Sequence, residues 1–501
     1  MATPIPKNRA RFTGAEIALS TGGRLRGEPG TPVCGVAVDS RAVTPGSAFV
    51  ALRGERHDGH AYVGVARDAG AALLVVRRGA EVPVGVACVE VDDTLAALGR
   101  LAAHHRHRWA AAGRRAVVAI AGTVGKTTTK EITAAVLSVR GQVHATVGNL
   151  NNVVGLPMTL LGLETEHRLA VVELGSSARG EIALLTRIAR PDVAVLTHVS
   201  AAHTEHLGDV QDCAEEEGYV LTGAGAPFAV AQADEPWSRA LLALSGAEFV
   251  RSFGRAADAS VRIASSRSSE SGTKVELDLP SSGGWLDASR VRRRTFTLPL
   301  LGPGSAYGLA AAIATERCVT QHLDLPDWDE LYDDVERALA SIVAPPGRLV
   351  PRSTSDGVLV LDDTYNASPA AVRAALEVAA ELARARSGRL VVVLGDMLEL
   401  GALSDESHAE VGREVAGLGA SVFVACGEQM TRAAAAAASA PSSMIVSPLV
   451  LAVPSPPDAV GLVRAHVGPG DVVLVKGSRG LRMERVVEGL MAAAPGAGEQ
   501  A

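Results

Sequence analysis

The sequence predicts an α/β protein of three domains. A central, doubly wound, mostly parallel sheet opens on a glycine-rich turn, and a Rossmann-like domain closes the C-terminal end. Three observations carry this expectation. The first is a strand–helix alternation through AVVAI (116–120), LAVVEL (169–174) and DVAVLTHV (192–199), with helices near 126 and 181–189. Strands alternating with helices imply parallel pairing with both faces covered. The second is a repeat of that rhythm in GVLVLDD (357–363), RLVVVLGD (389–396), SVFVACG (421–427) and DVVLVKGS (471–478), with helices at 369–386 and 405–416. The third is the proline pair in IVAPPGRLVP (342–351), which cannot continue a helix and separates the two patterns.

The expected domains are therefore 1–112, 113–344 and 345–501. The first contains short strands in VCGVAVDS, SAFVAL, AALLVV and VACVEV, and ends in the helix LAALGRLAAHHRHRWAAA (95–112). His104, His105 and His107 are too close in sequence to share one helix face, so a solvated helix end is expected rather than a metal site. In the second, residues 255–298 break the rhythm. SSRSSESG and PSSGG bracket the alternating TKVELDL, which reads as antiparallel strands added to a sheet edge. RVRRR (290–294) reads as a solvated hairpin tip.

Bulk composition narrows the function. The 501 residues carry 48 Lys and Arg against 55 Asp and Glu, a net charge of −7 with no long single-sign block. A nucleic-acid grip needs a concentrated basic face, so none is expected. Aromatic residues make up 3%, leaving a core of Ala, Val and Leu. Five scattered cysteines without CxxC spacing suggest neither a disulfide framework nor a zinc site, and fit a reduced cytosol. No apolar run approaches the roughly 20 residues of a membrane span, and the first residues lack a signal-peptide core. A cytoplasmic protein is expected.

AIAGTVGKTTTKE (119–131) is the strongest local signal. A glycine turn between a strand and a helix lets several backbone N–H groups converge where the helix presents its positive end, a nest for phosphate. Gly122 and Gly125 permit close backbone approach, with Thr123 between them. Lys126 can reach terminal phosphates, and Thr127, followed by Thr128, offers a hydroxyl to Mg²⁺. Ile120 stands where the longer Walker pattern has its first glycine, so this is a shortened G-x-x-G-K-T P-loop.

Polar and acidic stretches at other strand ends accompany it: GNLNNVVGLP (148–157), VVELGSSARGEI (171–182), AAHTEHLG (201–208), PPGRLVP (345–351), LDDTYNASP (361–369), LGDMLELG (394–401) and VKGSRG (475–480). Strand ends are where open α/β sheets bind ligands. Taken with the P-loop, these stretches resemble the Mur ligases over nearly the whole chain, and VDSRAVTPGSAFVALRGERHDGH (38–60) resembles their uridine-nucleotide-binding domain. The resemblance implies ATP, Mg²⁺ and an amide-forming, ADP-forming reaction through an acyl phosphate. The implied substrates are a UDP-linked muramoyl tripeptide as carboxylate and D-Ala-D-Ala as amine, in peptidoglycan precursor synthesis, with a monomer favoured. It also implies roles. Gly122, Thr123, Gly125, Lys126, Thr127 and Thr128 hold phosphates, joined by Arg348 and Asp363 from the third domain. Thr127, Glu173 and His203 serve metal. Asn149, Asn151 and Asn152 face the growing peptide. Asp39, Ser40 and Arg41 match the uridine-nucleotide loop. Asp396, Lys476, Ser478 and Arg479 lie on the amine side.

Blander readings remain open at this point. Glu173 could be a capping or salt-bridged acid, His203 structural, Asp39–Arg41 an ordinary turn, and Asp362 and Asp363 paired acids without a ligand. The sequence also departs from the family pattern. Glu217, in DCAEEEGYV (212–220), replaces a carbamylated lysine, and either serves a second Mg²⁺ or belongs to a solvated acidic turn. Gly304 and Gly308 replace a histidine and an asparagine near the nucleotide base, where Tyr307 could stack instead or pack in the core. Ser368 and His198 replace asparagines. These changes leave two further readings: the same chemistry recruited to specialised metabolism, and a nucleotide-binding scaffold without turnover.

Overall fold

The computed structural model describes residues 3–54, 57–201, 204–280, 291–326, 331–439 and 448–492. Its strands form three large sheets and one small antiparallel pair. The N-terminal sheet has the order Arg24–Arg26, Ala87–Val91, Leu73–Arg77, Ala48–Val50, Val36–Ala37, parallel except for its first strand. Helix Thr94–Ala111 starts where Asp93 accepts from the backbone N–H groups of Leu95 and Ala96, an N-cap. It packs in one continuous core with the central sheet rather than trailing into solvent. His105 is buried there, its Nε2 2.8 Å from the Leu163 carbonyl oxygen. The expected solvated helix end is thus corrected for His105: this face of the helix is the seam between two domains.

The central sheet has nine strands in the order Val291–Leu298, Gly272–Pro280, Val261–Ser269, Phe249–Gly254, Phe228–Gln232, Val193–Leu196, Ala116–Ala121, Leu169–Glu173, Val143–Ala145. Pairing is parallel from Val261–Ser269 onward and antiparallel over the three-stranded edge. Every residue of Ala116–Ala121 is buried, because layers cover both faces of a parallel sheet. This strand lies where the order reverses, with later strands on one side and Leu169–Glu173 on the other. Its C-terminal end is therefore a topological switch point, the usual ligand crevice of such sheets. Of the basic run expected at a hairpin tip, Arg292, Arg293 and Arg294 lie within edge strand Val291–Leu298, and Arg290 lies outside the described residues. Arg293 pairs with Asp278 on the adjacent strand, and Arg294 stacks 4.2 Å from the Tyr332 ring centre.

The third sheet has the order Val350–Ser353, Leu359–Asp363, Val472–Lys476, Leu390–Gly395, Val422–Cys426, Leu449–Val453, parallel except for its first strand. Separate apolar clusters cover its two faces. The third domain is closed onto the central one. Thr204 donates its hydroxyl to Leu400 O at 2.9 Å, Glu205 N donates to Glu399 O at 3.2 Å, and Arg386 pairs with Glu270 at the tip of the edge hairpin. Among the described residues, no helix is long and apolar enough to cross a membrane.

Candidate functional site

Strand Ala116–Ala121 ends at Gly122, and helix Lys126–Ser138 begins after Gly125. Both glycines have positive φ, 132° and 89°. A Cβ on Gly122 would lie 2.2 Å from Thr197 Oγ1, so that position excludes any side chain. Thr123 is fixed to the neighbouring strand end: its N–H donates to His198 O at 2.8 Å and its hydroxyl meets Ser200 Oγ at 2.9 Å. The turn and the helix start border a cavity of about 300 Å³. Thr123, Gly125, Lys126 and Thr127 line it; Thr128 is half-buried and lies outside the lining.

Glu173 ends strand Leu169–Glu173 beside this turn and is 3% exposed. Its Oε1 accepts from Asn151 Nδ2 at 2.8 Å, while its buried Oε2 has no hydrogen-bond partner. The Ser176 hydroxyl, also on the cavity wall, is likewise buried and unpartnered. Unsatisfied buried oxygens are rare and costly unless a ligand completes them. A hard divalent cation takes oxygen ligands and completes its shell with water and phosphate oxygens. Glu173 Oε2 and Thr127 Oγ1 therefore fit Mg²⁺. Among the described residues, no group of three His, Cys, Asp or Glu side chains forms a closed metal site. His203 lies outside the described residues.

The third domain supplies the opposite wall. Arg348 donates from Nη2 to Thr127 Oγ1 at 3.2 Å and sits 4.2 Å from the Tyr365 ring centre. Asp363 accepts from Leu349 N at 3.2 Å and from Lys476 Nζ at 2.6 Å, and Lys476 also donates to Asn366 O at 2.9 Å. Lys476 is thus committed to a buried pair that shapes the turn after strand Leu359–Asp363, although it still borders the cavity. A second cavity of about 310 Å³ adjoins the first. The two share Thr123, Asn149, Tyr365, Asn366, Ala367 and Ser368; the second adds Leu398, Glu399, Leu400, Ser478, Arg479 and Gly480.

Several expected site residues do structural work. Asn152 lines the first cavity, but its Oδ1 accepts from Val154 N and Gly155 N and holds the turn that leads into helix Gly155–Leu161. Asp396 is buried and accepts from Met430 N at 2.7 Å, at the start of helix Met430–Ala438. Ser478 accepts from Leu398 N at 2.9 Å and holds the loop of the second cavity. Asp39 caps the short turn Ser40–Ala42 and pairs with Arg41, whose guanidinium holds the Asp39 carboxyl below the usual range. Asp39 borders a separate small N-terminal cavity with Val38 and Met158, so this trio is not brought to the main site. Arg41 is 88% exposed at its side chain.

The EEE stretch is not a solvated turn. It lies on helix Val210–Thr222, started by a capping box between Asp209 and Asp212. Glu216 accepts from Gly180 N and Ile182 N, both at 2.7 Å. Glu217 accepts from Gly122 N at 2.8 Å and lies outside the lining of both cavities. Gly308 packs against helix Lys126–Ser138, where a Cβ would meet Ile132 Cδ1 at 2.9 Å, whereas a Cβ on Gly304 would enter open space. Tyr307 donates its hydroxyl to Asp234 at 2.7 Å. Lining residues to which the sequence assigned no individual role include Ser176, Ser177 and Glu181. Their signal is the GSSARGE stretch that begins two residues after the strand-end acid Glu173.

Comparison with known proteins gives the same assignment in all three parts. Residues 32–106 match the Mur ligase family catalytic domain, 120–315 the Mur ligase middle domain, and 347–479 the Mur ligase glutamate ligase domain. The chain is 34% identical over 459 residues to the UDP-N-acetylmuramoyl-tripeptide–D-alanyl-D-alanine ligase of Escherichia coli (strain K12), covering 91% of this chain and 93% of that protein. It is 32% identical over 463 residues to the ligase of the same name from Bacillus subtilis (strain 168), covering 92% and 94%. Crystal structure I of MurF from Acinetobacter baumannii superposes with a TM-score of 0.81 at 27% identity, over 98% of this chain and 100% of that one. MurF ligase from Thermotoga maritima in complex with ADP gives 0.75 at 28% identity, over 91% and 96%. With its phosphate loop, its strand-end carboxylate and its closing third domain, the chain belongs to the Mur ligase family.

Proposed function

We propose that this chain joins D-Ala-D-Ala to a UDP-N-acetylmuramoyl tripeptide, with ATP converted to ADP and phosphate, in peptidoglycan precursor synthesis. The observation that carries the reading is the pair of adjoining cavities at the phosphate loop, one bordered by Lys126 and Glu173 and the other by Ser478 and Arg479. The reaction needs two such spaces. A carboxylate resists an amine because its leaving group would be oxide. Transfer of the γ-phosphoryl group to a carboxylate oxygen gives an acyl phosphate and ADP. The amine nitrogen then attacks the acyl carbon, a tetrahedral intermediate forms, a proton leaves the nitrogen, and the C–O bond breaks to release phosphate. Catalysis here consists mainly of gathering anions and offsetting their repulsion.

The loop N–H groups and Lys126 are assigned to the ATP phosphates, and Arg348 to the same region from the third domain. Asp363 holds Lys476 and so shapes the nucleotide-side turn. Thr127 and Glu173 are assigned to Mg²⁺; His203, outside the described residues, keeps the role at a second metal that the family resemblance implies. When bound there, Mg²⁺ would neutralise the charge that builds up between the phosphate and carboxylate oxygens. Asn149 and Asn151 face the acyl group, Arg479 the carboxylate end of the amine substrate, and Asp39–Arg41 the uridine end of the carboxylate substrate. A water-soluble, nucleotide-linked substrate supports a cytoplasmic reaction.

The test is phosphate release. The parent protein is expected to release phosphate only when both the UDP-linked tripeptide and D-Ala-D-Ala are present, and Lys126→Ala to lose at least 100-fold in rate. Substrate-independent hydrolysis, or none at all, would overturn the reading.

A further inference from the structure

Glu217 is a buried carboxylate that lies behind the phosphate loop rather than in the cavity. It is 2% exposed and sits in the interior of helix Val210–Thr222. Its Oε2 accepts from Gly122 N at 2.8 Å, and its Oε1 is 3.9 Å from Lys126 Nζ. Lys126 Nζ in turn donates to Gly122 O. One carboxylate thus engages the first glycine of the loop and faces the ammonium that ends it. We propose that Glu217 is a positioning residue for the phosphate loop, and that the acceptor oxygen it offers Gly122 is what counts.

Three observations support this. Gly122 has a φ of 132°, open to glycine alone, and a hydrogen bond from its N–H holds that turn in one orientation. The bond points the Gly122 N–H away from the cavity, where it would otherwise be an unsatisfied buried donor. The preceding residue, Glu216, fastens the other glycine turn of the cavity wall in the same way, through Gly180 N and Ile182 N. Two successive carboxylates on one helix therefore brace the two loops that frame the cavity. The same helix follows the Thr204–Leu207 turn that meets the third domain. A loop braced from behind keeps its remaining N–H groups aimed at phosphate before the nucleotide arrives, which is preorganisation.

The proposal rests on the reading that this loop binds ATP, and its test separates the two. Glu217→Gln keeps an acceptor oxygen at the same reach and removes the charge. Glu217→Asp keeps the charge and withdraws it by about 1.5 Å, one carbon–carbon bond. For a positioning acceptor, the Gln variant is expected to keep kcat within threefold of the parent and the Asp variant to lose at least tenfold. The Mg²⁺ concentration for half-maximal rate should stay within twofold in the Gln variant. Amide hydrogen exchange in a peptide spanning residues 120–125 should be unchanged in the Gln variant and faster in the Asp variant, a readout that needs no turnover. The opposite ranking, or a tenfold rise in Mg²⁺ requirement in the Gln variant, would overturn the proposal and make Glu217 a charge or metal ligand. If the parent binds no ATP, the functional reading fails, and the exchange data alone decide the role of Glu217.

Discussion

Replacing Lys476 by methionine tests the division of labour in the third domain. The ammonium lies 2.6 Å from Asp363 Oδ2 and 2.9 Å from Asn366 O. Lys476 is 3% exposed and Asp363 8%, so water screens the pair little. Methionine fills a similar volume but leaves the Asp363 carboxylate with the Leu349 N–H, at 3.2 Å, as its remaining described partner. Breaking a buried pair from one side costs about 3–5 kcal/mol, because the surviving charge is uncompensated. Adding Asp363→Asn removes that charge while keeping an acceptor for Leu349, so the double variant is expected to recover most of the loss. Urea unfolding followed by far-ultraviolet circular dichroism reads both variants, and the cycle should return a coupling above about 2 kcal/mol. If Lys476→Met stays within about 1 kcal/mol of the parent while the KM for the amine alone rises tenfold, the reasoning is refuted and Lys476 acts on substrate.

Glu173→Gln should raise the Mg²⁺ concentration for half-maximal rate at least tenfold, because the unpartnered Oε2 is the expected ligand; a magnesium titration of phosphate release checks it. Gly122→Ala should abolish nucleotide binding measured by calorimetry, since its Cβ would lie 2.2 Å from Thr197 Oγ1 at a φ reserved for glycine. Arg386→Ala should destabilise more than Glu270→Ala in urea titrations. Arg386 also donates to Gly357 O and Gly470 O, whereas the partly exposed ion pair alone is worth about 0–1 kcal/mol. Burial holds the His105, His144 and His408 imidazoles below their ordinary pKa. Below about pH 6.5 the unfolded chain therefore binds protons that the folded chain refuses. Stability is full above that pH and falls as the medium acidifies, by up to about 1.4 kcal/mol per pH unit for each histidine. Thermal melts between pH 5 and 8 measure the slope, and His408→Gln should reduce it.

The parallel sheets were legible because strands buried on both faces read as unbroken apolar runs, Ala116–Ala121 and Leu390–Gly395 among them. The edge hairpin was legible from its turn-rich borders. The partners of the basic run RVRRR, Asp278 for Arg293 and the Tyr332 ring for Arg294, were not legible because they come from elsewhere in the chain. The site was legible as a set of strand ends, since polar clusters there have few structural uses. Which side chains turn inward was not. Asn152 is a short acceptor claimed by backbone N–H groups two and three residues on, whereas Asp396 is claimed by the start of a helix 34 residues away. Lys476 is long enough to reach the site, but the buried Asp363 carboxylate, 113 residues earlier and opposite it on the adjacent strand, takes its charge. Glu217 reads as part of an acidic run until helix Val210–Thr222 turns it onto Gly122, a contact across 95 residues that no local pattern encodes.

One measurement bears most directly on the central claim. The purified protein is incubated with ATP, Mg²⁺, UDP-N-acetylmuramoyl tripeptide and D-Ala-D-Ala, and the mixture is read by mass spectrometry. The expected result is the joined UDP-linked pentapeptide in equal amount to ADP, and none with Lys126→Ala. ATP bound by the parent with no joined product over many hours would contradict it.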